Sequence, residues 1–179
     1  MEGAWATAAA IYGAEDWTVY VGDSEGNMTL FNQARTRTRR EKEVRLWKKW
    51  FHVHRLGITQ IKMVADQNFL LSVSFDCTCR VLDALTGQIF VTVENPARRV
   101  RYTGAAWDKA NELLVVCDAD GRVEAWNTYT ETCLISKKLV YANDDLSNNP
   151  AGLDGIVTAG KGHFFAMSPS DDVIHRGMV

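Results

Sequence analysis

His52 and His54 stand one residue apart in "FHVH", and on a strand that spacing points both imidazoles the same way, which is how a metal site begins. No Cys, Asp or Glu nearby completes a ligand set, so no metal is expected there. His163 and His175 are isolated and read as surface or internally satisfied side chains. Ala34 to Lys49, "ARTRTRREKEVRLWKK", holds eight basic and two acidic residues, a local charge of +6 that leaves -8 on the rest of a chain of net charge -2. Arg35, Arg37, Arg39, Arg40, Lys48 and Lys49 could clamp phosphates while Trp47 and Trp50 stack on bases, which would make a site for RNA or another polyanion. The plainer alternative is a solvated strand edge, kept from stray pairing by its charges, or a docking surface for an acidic protein. One short basic block is a weak signature of nucleic-acid binding, and the edge is preferred.

Other chemistry is sparse. Cys77, Cys79, Cys117 and Cys133 include no C-x-x-C pair, and Cys77 and Cys79, two apart on a strand, rarely meet disulfide geometry. Free, mostly buried thiols are expected, which fits a reducing compartment. The cytoplasm is the expected location, with cytoskeletal or nuclear assemblies included. "NDDLSNNPAGLDG" is rich in oxygen ligands but lacks the glycine and glutamate of a calcium-binding EF-hand loop, so an ordinary insertion is expected. "NMT" at Asn27 fits a glycosylation acceptor, a pattern common by chance. No G-x-S-x-G, glycine-rich phosphate loop or paired-carboxylate motif is visible. No catalytic residue and no cofactor is therefore assigned, and the chain is expected not to be an enzyme.

A chain of 179 residues, 46% of them apolar, can bury a core of its own as one domain. No apolar run approaches the roughly 18 residues of a membrane-spanning helix, so no membrane partner is expected. The start, "MEGAWATAAAIYG", imitates a signal peptide in its small residues, but Glu2 stands where a basic region belongs and Thr7 breaks the apolar run. It is expected to be the first strand.

The elements that would carry these residues repeat. "VGDSEGNMTLFN" (Val21 to Asn32), "SVSFDCTCRVLD" (Ser72 to Asp83) and "VCDADGRVEAWN" (Val116 to Asn127) superimpose without a gap. In each a strand enters a turn at an acid (Glu25, Asp76, Asp120), and six residues later comes an apolar residue (Phe31, Leu82, Trp126) followed by Asn or Asp. The acids are spaced by 51 and 44 residues, and a weaker fourth copy, "MSPSDDVIHRGM", puts Asp171 another 51 residues on. A period of this size marks a repeat architecture.

Together with His54, Ile58, Ile61, Leu70 and Leu71 upstream of Asp76, and Trp107, Leu113 and Leu114 upstream of Asp120, the pattern resembles the WD-repeat β-propellers over nearly the whole chain. The resemblance implies an all-β fold of four-stranded antiparallel blades in an incomplete ring, with blades at about 4-50, 51-97, 98-140 and 155-179 and a loop at 141-154. It also implies a structural network in which a turn Asp accepts a hydrogen bond from a blade-opening His that meets a strand hydroxyl and then a Trp. Carried over, the second blade has Asp76, His54 and Ser72 or Ser74, with Leu82 where the Trp belongs; the third has Asp120 and Trp126, with Arg98 where the His belongs. Apolar stacking must then hold the blades. The implied role is a protein-interaction scaffold whose loop face includes Arg55, Phe75, Arg98, Arg99 and Ala119, with Phe75, Arg98 and Arg99 the first candidates for partner contact. Partners are expected to be other protein chains, or a second copy completing the ring.

Overall fold

The structure is a computed structural model and describes residues 3-13, 16-35, 42-94, 99-139, 152-159, 161-168 and 173-178. Four antiparallel sheets follow one another along the chain. Sheet 1 is β1 (Ala6–Tyr12), β2 (Thr18–Asp23), β3 (Met28–Arg35) and β4 (Lys42–Trp50), paired in that order. Sheet 2 is β5 (Ile58–Val64), β6 (Phe69–Ser74), β7 (Thr78–Asp83) and β8 (Ile89–Glu94). Sheet 3 is β9 (Tyr102–Asp108), β10 (Leu113–Asp118), β11 (Arg122–Asn127) and β12 (Thr132–Lys138). Sheet 4 has three strands among the described residues, β13 (Gly155–Thr158), β14 (His163–Ser168) and β15 (Val173–Met178).

Runs of Val, Leu, Ile and aromatic residues make these strands, and tight turns join them into meanders. β6 ("FLLSVS") and β10 ("LLVVCD") are buried along their whole length, because both faces of sheets 2 and 3 are covered. The hydrophobic core is therefore distributed over three junctions. Tyr20, Met28 and Leu30 of sheet 1 meet Ile58, Ile61, Leu70 and Leu82 of sheet 2. Leu71, Val73, Cys79, Val81 and Val93 meet Tyr102, Ala105, Leu114, Val116 and Trp126 of sheet 3. Ala106, Val115, Cys117 and Val123 meet Leu153, Ile156, Phe164 and Ala166 at sheet 4.

Each junction also carries a hydrogen bond at the innermost strands. Thr7 Oγ1 donates to the Ile58 carbonyl at 2.6 Å, the Ala105 amide donates to Gln60 Oε1 at 2.8 Å, and Thr158 Oγ1 donates to the Trp107 carbonyl at 2.7 Å. Lys62 Nζ, its pKa lowered by burial, reaches across to the Ile156 carbonyl at 2.8 Å and ties sheet 2 to sheet 4.

The repeat shows in the backbone. The pairing of third with fourth strand slips register at the same place in three sheets, between Leu30 and Phe31, Val81 and Leu82, and Ala125 and Trp126. Such a bulge bends the strand and increases its twist. The turns between second and third strands each place one residue in the left-handed region: Gly26 (φ 81°), Cys77 (φ 67°) and Gly121 (φ 79°). At Gly26 the chain must also admit the next segment, since the His54 amide donates to the Gly26 carbonyl at 2.9 Å and a Cβ on Gly26 would lie 2.2 Å from the His54 carbonyl oxygen.

Cys77 thus holds a position where the other two turns use glycine, and a side chain in that region costs about 1 to 2 kcal/mol. Exchange of residues at the two turns should be asymmetric. Gly26→Ala is expected to destabilise the fold by at least that much and so lower the urea midpoint, and Cys77→Gly to leave the midpoint unchanged or raise it. Equal losses from the two substitutions would contradict the strain argument.

Candidate functional site: a groove on the loop face

The turn of sheet 2 is built around Asp76. Its Oδ1 accepts the Thr78 amide at 3.0 Å and the Thr78 hydroxyl at 2.6 Å, and its Oδ2 accepts the Arg55 amide at 3.0 Å. His54 Nδ1 lies 3.1 Å from Asp76 Oδ2, and Nε2 lies 2.8 Å from Ser72 Oγ. A carboxylate only accepts, so Nδ1–H donates to it, and in the neutral imidazole Nε2 then accepts from the Ser72 hydroxyl. Burial alone would raise the Asp76 pKa, but the hydrogen bonds from His54, Thr78 and the Arg55 amide outweigh it and hold the carboxyl well below the usual range. Ser74 does something else: its Oγ accepts the Asp76 amide at 3.1 Å and donates to the Leu56 carbonyl at 2.9 Å.

The same turn is capped differently in the flanking sheets. Asp23 Oδ1 accepts the amides of Glu25 and Asn27 at 3.0 and 2.8 Å, and Asp118 Oδ1 accepts those of Asp120 and Arg122 at 3.0 and 2.9 Å. The acid capping these two turns stands two residues before Glu25 and Asp120, the positions aligned with Asp76. Sheet 2 has Ser74 at that earlier position. The shorter Ser74 side chain takes the Asp76 amide, and Asp76 itself takes the Thr78 amide. In sheet 3 the Trp126 indole donates to Glu124 Oε2 at 3.2 Å, the Tyr102 hydroxyl donates to the same oxygen at 3.0 Å, and Ser136 Oγ donates to Glu124 Oε1 at 3.1 Å. This buried cluster was not singled out from the sequence, although an acid between Val123 and Ala125 on a core strand was a usable signal.

Above the Asp76 network lies a cavity of about 440 Å³ between sheets 1 and 2, walled by Trp5, Thr7, Glu25, Leu56 and Phe75. Its apolar walls face solvent: Trp5 is 60% exposed, Leu56 51% and Phe75 47%. They are nevertheless held by the backbone. The Trp5 amide donates to Ser24 Oγ at 3.2 Å, the Ser24 amide donates to the Trp5 carbonyl at 2.9 Å, and the Phe75 amide donates to the Gly57 carbonyl at 3.1 Å. Asp76 and Ser74, through Arg55 N–H and Leu56 C=O, fix the third wall. The Arg101 guanidinium stacks over the Phe75 ring at 5.3 Å, and Arg55 and Arg99 are exposed on the same loop face. Preorganised aromatic walls with arginines beside them can take an apolar side chain flanked by carboxylates.

Of the partner-contact candidates, Phe75 lines the groove, Arg55 adjoins it, and Arg99 sits at φ 46° on the loop entering sheet 3. Arg98, Arg37, Arg39 and Arg40 lie outside the described residues, as does Asp171, and Arg35 is described only as the last residue of β3. Lys48 and Lys49 are on β4, with Lys49 Nζ 5.1 Å from the Phe51 ring. His52 donates its amide to Asn27 Oδ1 at 3.0 Å. Among the described residues no group of three His, Cys, Asp or Glu is placed to hold a metal ion. Cys79 and Cys117 are buried, and burial pushes both thiols up to about 12. Among the described residues no helix is long and apolar enough to cross a membrane.

No family model matches the chain, and no curated protein matches it. Solved structures do. It is similar to the computationally designed Ika4 protein, with 17% identity, TM-score 0.69, and coverage of 100% of this chain and 94% of that one. It is similar to the WD40 β-propeller domain of Doa1, with 14% identity, TM-score 0.72, and coverage of 96% and 50%. It is also similar to the Cps50 (Swd1) β-propeller domain of Myceliophteria thermophila, with 13% identity, TM-score 0.70, and coverage of 98% and 54%. At these identities the likeness shows the fold, an all-β propeller architecture. The chain spans about half the length of the Doa1 and Swd1 structures.

Asp76→Ala strands His54 and two backbone amides, and is expected to cost about 1 to 3 kcal/mol, the range for orphaned buried partners. Glu25→Ala, at an aligned position whose neighbour Asp23 caps the turn, should cost less; equal shifts in urea midpoint would contradict the ordering. A depressed carboxyl pKa stabilises the fold above its unfolded value of about 3.9, and that stability fades as pH falls below it toward the folded pKa. Asp76→Asn should therefore lose less stability than the wild type on acidification below about pH 4.

Proposed function

We propose that the chain is a non-enzymatic, WD-repeat-like scaffold that binds other protein chains on its loop face, or takes a second copy of itself to complete its ring. The observation that carries this is the groove of Trp5, Leu56 and Phe75: exposed apolar walls held in place by backbone hydrogen bonds, beside Arg55, Arg99 and Arg101. Its ligand is a protein segment that seats an apolar side chain in the groove and offers carboxylates to the arginines. Rigid strands beneath variable loops are the usual way a propeller displays such a surface. The free thiols fit a reducing compartment, and the cytoplasm is the location this proposal assumes.

Selection from a random peptide library followed by fluorescence anisotropy tests it. Enriched peptides should pair an aromatic or aliphatic anchor with acidic residues. Phe75→Ser or Leu56→Ser should weaken them by about tenfold or more, equivalent to about 1.4 kcal/mol. Tyr129→Ser, in the β11–β12 turn, should leave binding unchanged, and peptides insensitive to both groove substitutions would overturn the assignment.

β4 supports a second reading, because Trp47 and Phe51 are exposed among Arg45, Lys48 and Lys49, a mixture suited to a polyanion. A filter-binding isotherm with single-stranded RNA at low salt separates it from the first. On the scaffold reading no RNA is retained. Retention that falls steeply with salt, with a slope lowered by Lys48→Ala and Lys49→Ala, would favour the polyanion.

A further inference from the structure

The two outer faces of the stack each carry apolar side chains open to solvent. On sheet 1, Ile11 is paired with Val19, Val19 with Phe31, and Phe31 with Leu46, so one apolar row crosses the whole sheet on the face turned away from sheet 2. Its ends are open to solvent, with Ile11 71% exposed and Leu46 62%. On sheet 4, Val157 is paired with Phe165 and Met167 with Ile174, on the face turned away from sheet 3, and Ile174 is 68% exposed. Beside that face a cavity of about 300 Å³ is walled by Val157, Phe165, Met167 and Ile174 together with Gln60 and Lys62.

Each of the three junctions within the chain is an apolar cluster between two such faces, edged by a hydrogen bond at the inner strands. The described residues of the chain do not bring its own end faces together. Both halves of one further junction are present on this chain, so a second copy can supply a cover for each end face, and two copies would make two identical junctions. The propeller domains of Doa1 and Swd1, about twice the span of this chain, accommodate the same four-sheet unit in half their length.

We propose that the outer face of sheet 4 packs on the outer face of sheet 1 of a second copy, and reciprocally, closing a ring of two chains about a two-fold axis. Closure distinguishes this from an open head-to-tail filament, which the same faces would build if the rotation did not return on itself. The proposal does not rest on the loop-face groove, which lies on a different surface.

Sedimentation velocity of the full chain, from nanomolar to high micromolar concentration, tests it. The expected result is a monomer that converts to a dimer and stops there. Ile11→Glu and Ile174→Glu should each give a monomer, and an equimolar mixture of the two variants should recover a dimer through the single junction left unaltered. A monomer at every concentration, growth beyond two copies, or loss of dimer from only one of the two substitutions would overturn the proposal. Circular dichroism and urea melts establish that the exposed-site variants fold, with Leu46→Glu and Met167→Glu as replacements if either does not. The monomeric variants should keep the wild-type affinity for groove-binding peptides, so failure of either proposal leaves the other standing.

Discussion

A twisted sheet that is apolar on both faces has to be covered on both. That constraint explains most of what the molecule does with its residues. Burying apolar area stabilises at roughly 25 cal/mol per Å², and the second and third sheets collect it twice. Their inner pairs β6, β7, β10 and β11 hold the side chains with least access to water, while β1, β4 and β12 are largely exposed. Stability is thereby graded from the middle of the stack to its ends, and the ends keep the surface through which further chain can be added.

Polar side chains then work locally, at places the stacking has already fixed. The Asp76, His54 and Ser72 network joins the segment entering sheet 2 to the turn between β6 and β7, and by doing so sets the backbone of Arg55 and Leu56 and, through Ser74, the far side of Leu56. A structural network and the proposed binding groove share the same few residues. The groove can stay apolar and solvent-facing because hydrogen bonds of its backbone hold its walls in place. Sheets 1 and 3 reach the same turn geometry with Asp23 and Asp118, so they do not need the histidine.

The repeat, the all-β antiparallel sheets and the acidic turn at Asp76 were legible because they depend on short-range patterns: alternation, turn residues and a fixed period. Which acid caps each turn was not. Asp23 and Glu25, or Asp118 and Asp120, are two apart and chemically alike, and the choice rests on which carboxylate reaches the amides two and four residues on. Glu124 is two residues from Trp126 and so shares its face by alternation alone, whereas Tyr102 and Ser136, the other donors to Glu124, join it only through the pairing of β9 and β12 within the sheet. Trp5 gave no sign of lining a groove with Leu56 and Phe75, residues more than fifty positions away that stacking brings together. The apolar row on sheet 1 emerged only from the pairing of four strands.

Amide hydrogen exchange, followed segment by segment at a dilution where the chain is monomeric, interrogates the stacking constraint most directly. If covering both faces of a sheet governs its stability, protection should be greatest in β6, β7, β10 and β11 and clearly lower in β1, β4, β14 and β15. Uniform protection across the four sheets, or protection confined to the surroundings of His54 and Asp76, would contradict it.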